Sequence, residues 1–356
     1  GGFGLKWKSG DTRPAEAKQT TKFINHLKPK TTMTYLENSK QYTGSDLENI
    51  FFRPMLTGES AQDLGVRVLY NMPQPTRVQL WDGQRNILQK FTSAGWAGGK
   101  AATKYEKTVN LNRVKAELGF SAANYFSMVY EKVSSLVNTH MDDLSGTELE
   151  QAETALFKQA LAENIRVTMW IGDTSAASGY NTFDGLLKRI NGLVDDDGVY
   201  NFSYQAAALE DPAYVVELFD KLWAGADPRI PGLKADDRLA YFVSSDIYRL
   251  YEKYLDAKGA DAAYADAMNG RRTLAYHGIP VVDVRLGSYL GATSFRQSFV
   301  MLTDRRNLVL AVNTADMPGN EVRMWYNPDE MENRQRAVFM AGTQILDEAL
   351  ISFAYK

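Results

Sequence analysis

Chemistry needs nucleophiles, metal ligands or matched acid–base pairs, and this chain of 356 residues supplies few of them. Cysteine is absent. That excludes a thiolate nucleophile, a disulfide scaffold and a Cys-held zinc or iron–sulfur centre. The histidines are His26, His140 and His277. His277 stands in Tyr-His-Gly-Ile-Pro just before a strand-like run and reads as a turn or hydrogen-bonding residue. His140 precedes Met141-Asp142-Asp143, and closeness in sequence is weak support for a catalytic pair. The chain has neither a Gly-x-Ser-x-Gly elbow nor a His-Glu-x-x-His helix motif. Residues 95–101 (GWAGGKA) partly match a phosphate-binding loop, but Ala94 takes the place of its first Gly and Ala101 that of its hydroxyl residue. Asp195-Asp196-Asp197-Gly198 places carboxylates consecutively, whereas a calcium loop alternates them, so it reads as a solvated acidic turn. Carboxylate pairs suited to acid–base work are not distinguishable from surface charge. No catalytic, cofactor-binding or metal-binding residue and no cofactor is expected, and the chain reads as a non-enzyme.

Contact chemistry is better represented. Trp81 and Trp96 lie on a stretch with little core-forming pattern, where two readings stand: packing within the local hairpin, or anchoring an interface. Phe3 and Trp7 lie in a Lys- and Thr-rich amino-terminal stretch. A disordered arm would carry fewer aromatics, so this one is expected to gain order across another surface.

The elements that must position these residues follow from periodicity. Residues 145–171 give the strongest helix. Ser145 and Glu148 form a capping box, Leu149, Leu156, Leu161 and Ile165 keep helical spacing, and Gly172 ends the run. Strand-like runs at 66–70, 77–81, 86–91 and 103–109 predict an extended β-loop, with Asp82-Gly83 as a hairpin turn. A two-stranded ribbon is at best marginally stable alone, so this one needs a neighbour to lie on. Asp211-Pro212 predicts a helix start with Pro at the first helical position. Residues 238–243 and 279–285 read as strands around a helix that starts at Ser245-Asp246 and closes at Gly259. From 297 onward the pattern turns to β, with Leu308, Leu310 and Val312 alternating, and residues 337–355 are expected to return onto the long helix. No repeat of fixed period occurs.

Composition bounds the rest. With 44% hydrophobic and 23% charged residues, the chain is a folded protein. No apolar run approaches the roughly 18 residues of a membrane span. The net charge of -3 is against tight nucleic-acid binding. Residues 1–40 carry eight Lys/Arg against three acids, and residues 190–270 carry fifteen acids against seven bases, so arm and middle should face different surroundings. The first residue is Gly and no signal-peptide core follows, which fits either a shortened chain or a precursor cut before Gly1.

The order of these parts resembles the major capsid protein of a tailed bacteriophage with the Hong Kong 97-like fold. The residues that carry the likeness are Trp170-Ile171-Gly172-Asp173 at the helix end, Phe183-Asp184-Gly185-Leu186-Leu187 after it, residues 241–257 (YFVSSDIYRLYEKYLDA), His277-Gly278-Ile279-Pro280-Val281-Val282, and Phe299 to Leu310. The subgroup it looks like is crAss-like or a related podovirus. The resemblance implies an α+β fold with an amino-terminal arm (1–62), an extended β-loop (63–112), a peripheral domain with a long spine helix (113–184), an α/β axial domain (185–290) and a peripheral β-sheet return (291–356). It implies hexameric and pentameric capsomers, an icosahedral shell around double-stranded DNA bound without sequence specificity, portal and decoration partners, no membrane, and a virion location after assembly in the host bacterial cytoplasm. Trp81, Trp96, Phe3 and Trp7 would then contact neighbouring subunits. Some such relatives crosslink a loop Lys to an Asn; Lys100, Lys104 and Lys107 lie on the loop, but no Asn partner is assignable and no crosslink is expected. The alternatives are an encapsulin-like compartment shell and an α/β enzyme or binding protein, the latter lacking motif support for a polar pocket.

Overall fold

The computed structural model describes residues 40–53, 66–70, 76–83, 102–121, 148–194, 198–259, 264–265, 273–287, 289, 298–313 and 320–356. The chain divides into two compact units: Gly1–Lys40, Gly119–Gln151 and Met324–Arg334 form one, and Gln41–Leu118, Ala152–Arg323 and Gln335–Lys356 form the other. In the first, Arg334 holds Glu330 and Glu332 around the turn that joins β13 (Glu321–Asn327) to β14 (Glu332–Ile345), its Nε donating to Glu332 Oε1 at 2.6 Å. Met331 in that turn has φ 51° and is 66% exposed.

Among the described residues, strands group into three sheets. The largest runs β6 (Tyr200–Ser203), β15 (Ser352–Tyr355), β11 (Phe299–Asp304), β7 (Leu239–Val243), β10 (Ile279–Asp283), β9 (Thr273–Tyr276) and β8 (Tyr264–Ala265). Its central strand β7 is antiparallel to β11 and parallel to β10. The five residues of β7 are all buried because both faces of the sheet are covered, the usual origin of an unbroken apolar run. Leu239, Tyr241 and Val243 share a core with Val215, Phe219 and Leu222 of helix Tyr214–Gly225 and Ile247 and Tyr251 of helix Ser245–Lys258. The Phe219 ring lies 4.7 Å from Tyr241 and 5.3 Å from Tyr251. The alternate residue Phe242 meets Trp170 of the long helix Glu148–Ile171, with ring centroids 5.7 Å apart. Phe299 closes on the same indole at 6.0 Å and Phe353 on Phe299 at 6.1 Å, so β11 reaches the long helix and β15 packs beside β11.

The second sheet runs β1 (Lys40–Tyr42), β13, β14, β12 (Leu308–Asn313) and β2 (Arg67–Tyr70), with β5 (Asn112–Ser121) also pairing with β14. The third is the two-stranded ribbon of β3 (Thr76–Gly83) and β4 (Ala102–Val109).

Several expectations change. Asp82-Gly83 is not a turn: β3 runs through it, with Asp82 opposite Thr103 and Gly83 opposite Ala102. Eight successive cross-strand pairs hold that register, so the local Asp-Gly signal loses to pairing with a more distant strand. Within the stretch expected as arm, residues 40–53 are described. β1 joins a sheet, and in the helical turns Gly44–Asp46 and Leu47–Phe52 the side chains of Leu47, Phe51 and Phe52 are fully buried, with Phe52 5.0 Å from Phe339. β11 and β15 pair in the largest sheet beside β7, while β12, β13 and β14 belong to the second sheet. β12 buries all six residues rather than alternating, being covered on both faces. The helix after Asp211-Pro212 starts at Tyr214, later than Pro at the first position requires; Asp211 instead accepts the Ala213 N–H at 3.0 Å. In the long helix the described residues begin at Glu148, so Ser145 of the capping box lies outside them. Its 24 residues span about 36 Å.

Candidate assembly interface

The ribbon is fixed to the body at one end. Val78 and Val109 are buried, and each belongs to the large apolar core. Thr76 and Val109 form its first pair, Gly83 and Ala102 its last. Lys107 pairs with Glu348, and the Thr108 carbonyl accepts Gln344 Nε2–H at 3.1 Å, so β4 is tied to β14 and to the turn beyond it. Across the ribbon, Arg77 and Glu106 form an exposed pair at 3.4 Å, and pairs of that kind contribute little.

The far end of the long helix is built by close approach. Gly172 N–H donates to Thr168 O at 2.9 Å, and Gly185 N–H donates to Gly172 O at 2.8 Å. A Cβ on Gly172 would stand 2.2 Å from Phe183 O, and one on Gly185 2.6 Å from Gly172 N. Only glycine admits this contact, which accounts for both ends of the Gly-Asp and Gly-Leu pattern. Three charges sit beside it: Lys188 Nζ lies 2.9 Å from Asp173 Oδ1 and 2.7 Å from Asp184 Oδ1. Hydrogen bonds from Ser175 and Lys188 hold the Asp173 carboxyl down at about 2. Burial acts to raise Asp184, but the hydrogen bonds from Lys188 and Thr174 outweigh it and leave it below its ordinary value.

One turn of helix earlier, Arg166 is buried at 4% exposure. It donates from Nη1 to Val284 O at 2.5 Å and from Nη2 to Arg285 O at 3.1 Å. Its Nε and Nη2 also reach Glu163 at 3.1 and 2.6 Å. The hydrogen bond from Arg166 is the main reason the Glu163 carboxyl lies below its usual range. Sequence reasoning passed over Arg166; the signal was a lone charge between Ile165 and Val167 in the apolar last turns of the helix. It also missed a groove of about 510 Å³ between β5 and the long helix, lined by Val114, Leu118, Phe157, Leu161 and Phe339.

Of the four residues expected to contact neighbours, Trp81 lies in β3 opposite Lys104, while Trp96, Phe3 and Trp7 lie outside the described residues. So do His140, the 95–101 loop and Asp195 to Asp197. His277 occupies the turn between β9 and β10 at φ 48°, followed by Gly278 at 80°, which is the turn role expected of it.

No protein-family model matches the chain, and no curated protein matches it. Solved structures do. A chain of the satellite phage P4 procapsid including size determination (Sid) protein aligns with a TM-score of 0.50 at 12% identity, over 97% of this chain and 98% of that one. The capsid of Ralstonia phage GP4 aligns at 0.47 and 11% identity over 88% and 91% of the two chains. The holo-SrpI encapsulin complex of Synechococcus elongatus PCC 7942 aligns at 0.42 and 9% identity over 81% and 84%. At such identities the likeness shows architecture, and on the P4 alignment the chain has the α+β, Hong Kong 97-like fold of phage capsid proteins.

Proposed function

We propose that the chain is the major capsid protein of a tailed bacteriophage, self-assembling through hexamers and pentamers into an icosahedral shell around double-stranded DNA. The observation that carries this is end-to-end alignment with the P4 procapsid chain, where 97% of this chain and 98% of that one correspond. The ribbon supports it. Identical chains in head-to-tail contact form closed rings when the rotation per contact allows, and a two-stranded element anchored at its base is suited to reach a neighbour. Individually modest contacts of this kind gain strength by being made many times over. In this reading the role is structural and non-enzymatic. The shell works in the virion, is assembled in the host cytoplasm, meets a portal and decoration proteins, and holds DNA without sequence specificity. The peripheral domain is built on the second sheet, and the axial domain on the seven-stranded sheet with β11 and β15 included. Trp81 and Trp96 on the loop, and Phe3 and Trp7 on the arm, contact adjacent subunits. The subgroup proposed is crAss-like or a related podovirus.

Negative-stain electron microscopy of the native assembly, with nucleic-acid content read from the absorbance ratio, tests the reading. Closed DNA-filled particles are expected. Closed particles filled with protein cargo would replace the virus by a compartment shell. A uniform monomer of about 40 kDa under all conditions would overturn both.

A further inference from the structure

We propose that Arg166 is a positioning residue for assembly: it locks the long helix to the turn after β10, so that every copy enters the shell with the same helix-to-sheet angle. The inference rests on the shell reading above. Three observations place it there. First, the Arg166 guanidinium spans the junction, donating to Val284 O at 2.5 Å and Arg285 O at 3.1 Å while Glu163 holds its remaining edge. Tyr289 O–H donates to Glu163 Oε1 at 3.1 Å, so a residue beyond the turn braces the carboxylate from the same side as the turn itself. Second, the turn is built to present those carbonyls. Arg285 adopts φ 54°, a conformation that costs a side-chain-bearing residue energy and persists only where its surroundings impose it. They do so through Arg285 N–H to Asp283 Oδ1 at 2.8 Å and Val284 N–H to Val243 O at 3.1 Å. Third, this helix also meets the sheet through Trp170 against Phe242 and Phe299, and that contact is apolar. Apolar attraction is non-directional and permits small rotations. A planar fork reaching two carbonyls and a carboxylate at once selects one orientation, which a lysine ammonium would not.

The functional consequence comes from closure. Head-to-tail contacts between identical chains form closed rings only at the right rotation and open arrays otherwise. A subunit free to vary its internal angle would still fold and still associate, but into mixed products.

The test compares the full-length wild type with Arg166→Met, Arg166→Lys and Glu163→Gln. Folding is read by circular dichroism and assembly products by electron microscopy. The expected result is that Arg166→Met and Glu163→Gln chains fold, yet give mixed closed and open particles with a diameter spread at least about twofold that of the wild type. Arg166→Lys should narrow the spread only partly. Folded variants that build wild-type particles of wild-type uniformity would overturn the proposal. If Arg166→Met does not fold, a cryo-EM map of wild-type shells answers instead: the Arg166 contacts to Val284 and Arg285 must persist in every copy, and their loss in any copy overturns the proposal. Wild-type chains that form no shell would overturn the function reading itself, and that outcome is visible without any variant.

Discussion

The seven-stranded sheet and the β3–β4 ribbon are both β-structure, yet they are stabilised in opposite ways. In the sheet, β7 has strands on either side and apolar layers on both faces, and Tyr241 and Phe242 point to different layers. Among the described residues the two ribbon strands pair with each other, and Val78 and Val109 near the base join the apolar core. Apolar burial is concentrated in the first, and under the proposed shell role the second is completed by contact with a neighbour. If the chain assembles as proposed, the difference predicts that stability and assembly are separable, and that substitutions sort by region.

The largest stability effect is expected at Trp170, which is 1% exposed between Phe242 and Phe299. Trp170→Ala should destabilise by about 3–5 kcal/mol, measured by chemical denaturation, and abolish assembly only as a consequence. Gly185→Ala comes next. Its methyl would have to displace backbone at Gly172 N, 2.6 Å away, and neither partner is a flexible side-chain end. A loss of about 1–3 kcal/mol is expected in the same measurement. The ribbon should behave the other way round. Replacing residues 84–101 by Asn-Gly joins the facing pair Gly83 and Ala102 through a two-residue turn. Stability of the unassembled chain should stay within about 0.5 kcal/mol of wild type, while the concentration needed for assembly rises by about 100-fold, read by light scattering. Equal effects on folding and assembly would break the distinction. The smallest effect concerns acid. Asp173 is depressed to about 2 in the folded chain, so its contribution is fully present above the ordinary aspartate value and is lost as pH falls from about 4 towards 2. Asp173→Asn should therefore flatten that part of a stability-against-pH curve by lowering stability at neutral pH and leaving it nearly unchanged near pH 2.

The helices and central strands were legible because their signals are local. β7, β10, the helix from Ser245 to Lys258 and its closing Gly259 at φ 61° follow directly from apolar spacing and one glycine. Register was not legible. Asp82-Gly83 carries a strong turn signal, but β4 competes for the same residues with eight pairs, and no local pattern reports a strand twenty residues away. The division of the last sixty residues between two sheets was hidden for a related reason: β11 and β12 are both wholly buried, and burial on both faces erases the alternation that would tell their sheets apart. In the candidate interface, the glycine pair at 172 and 185 was visible as a pattern, whereas the need for it lies in a backbone contact that only the fold creates. Arg166 was passed over, since its acceptors are carbonyls more than one hundred residues away in sequence.

The most direct test is a cryo-EM map of the assembled particle at side-chain resolution. The account predicts that the ribbon carrying Trp81 lies on an adjacent subunit, while the packing of Trp170 against Phe242 and Phe299 is unchanged from the single chain. A map in which the ribbon folds back onto its own subunit and shells close through other surfaces would contradict it.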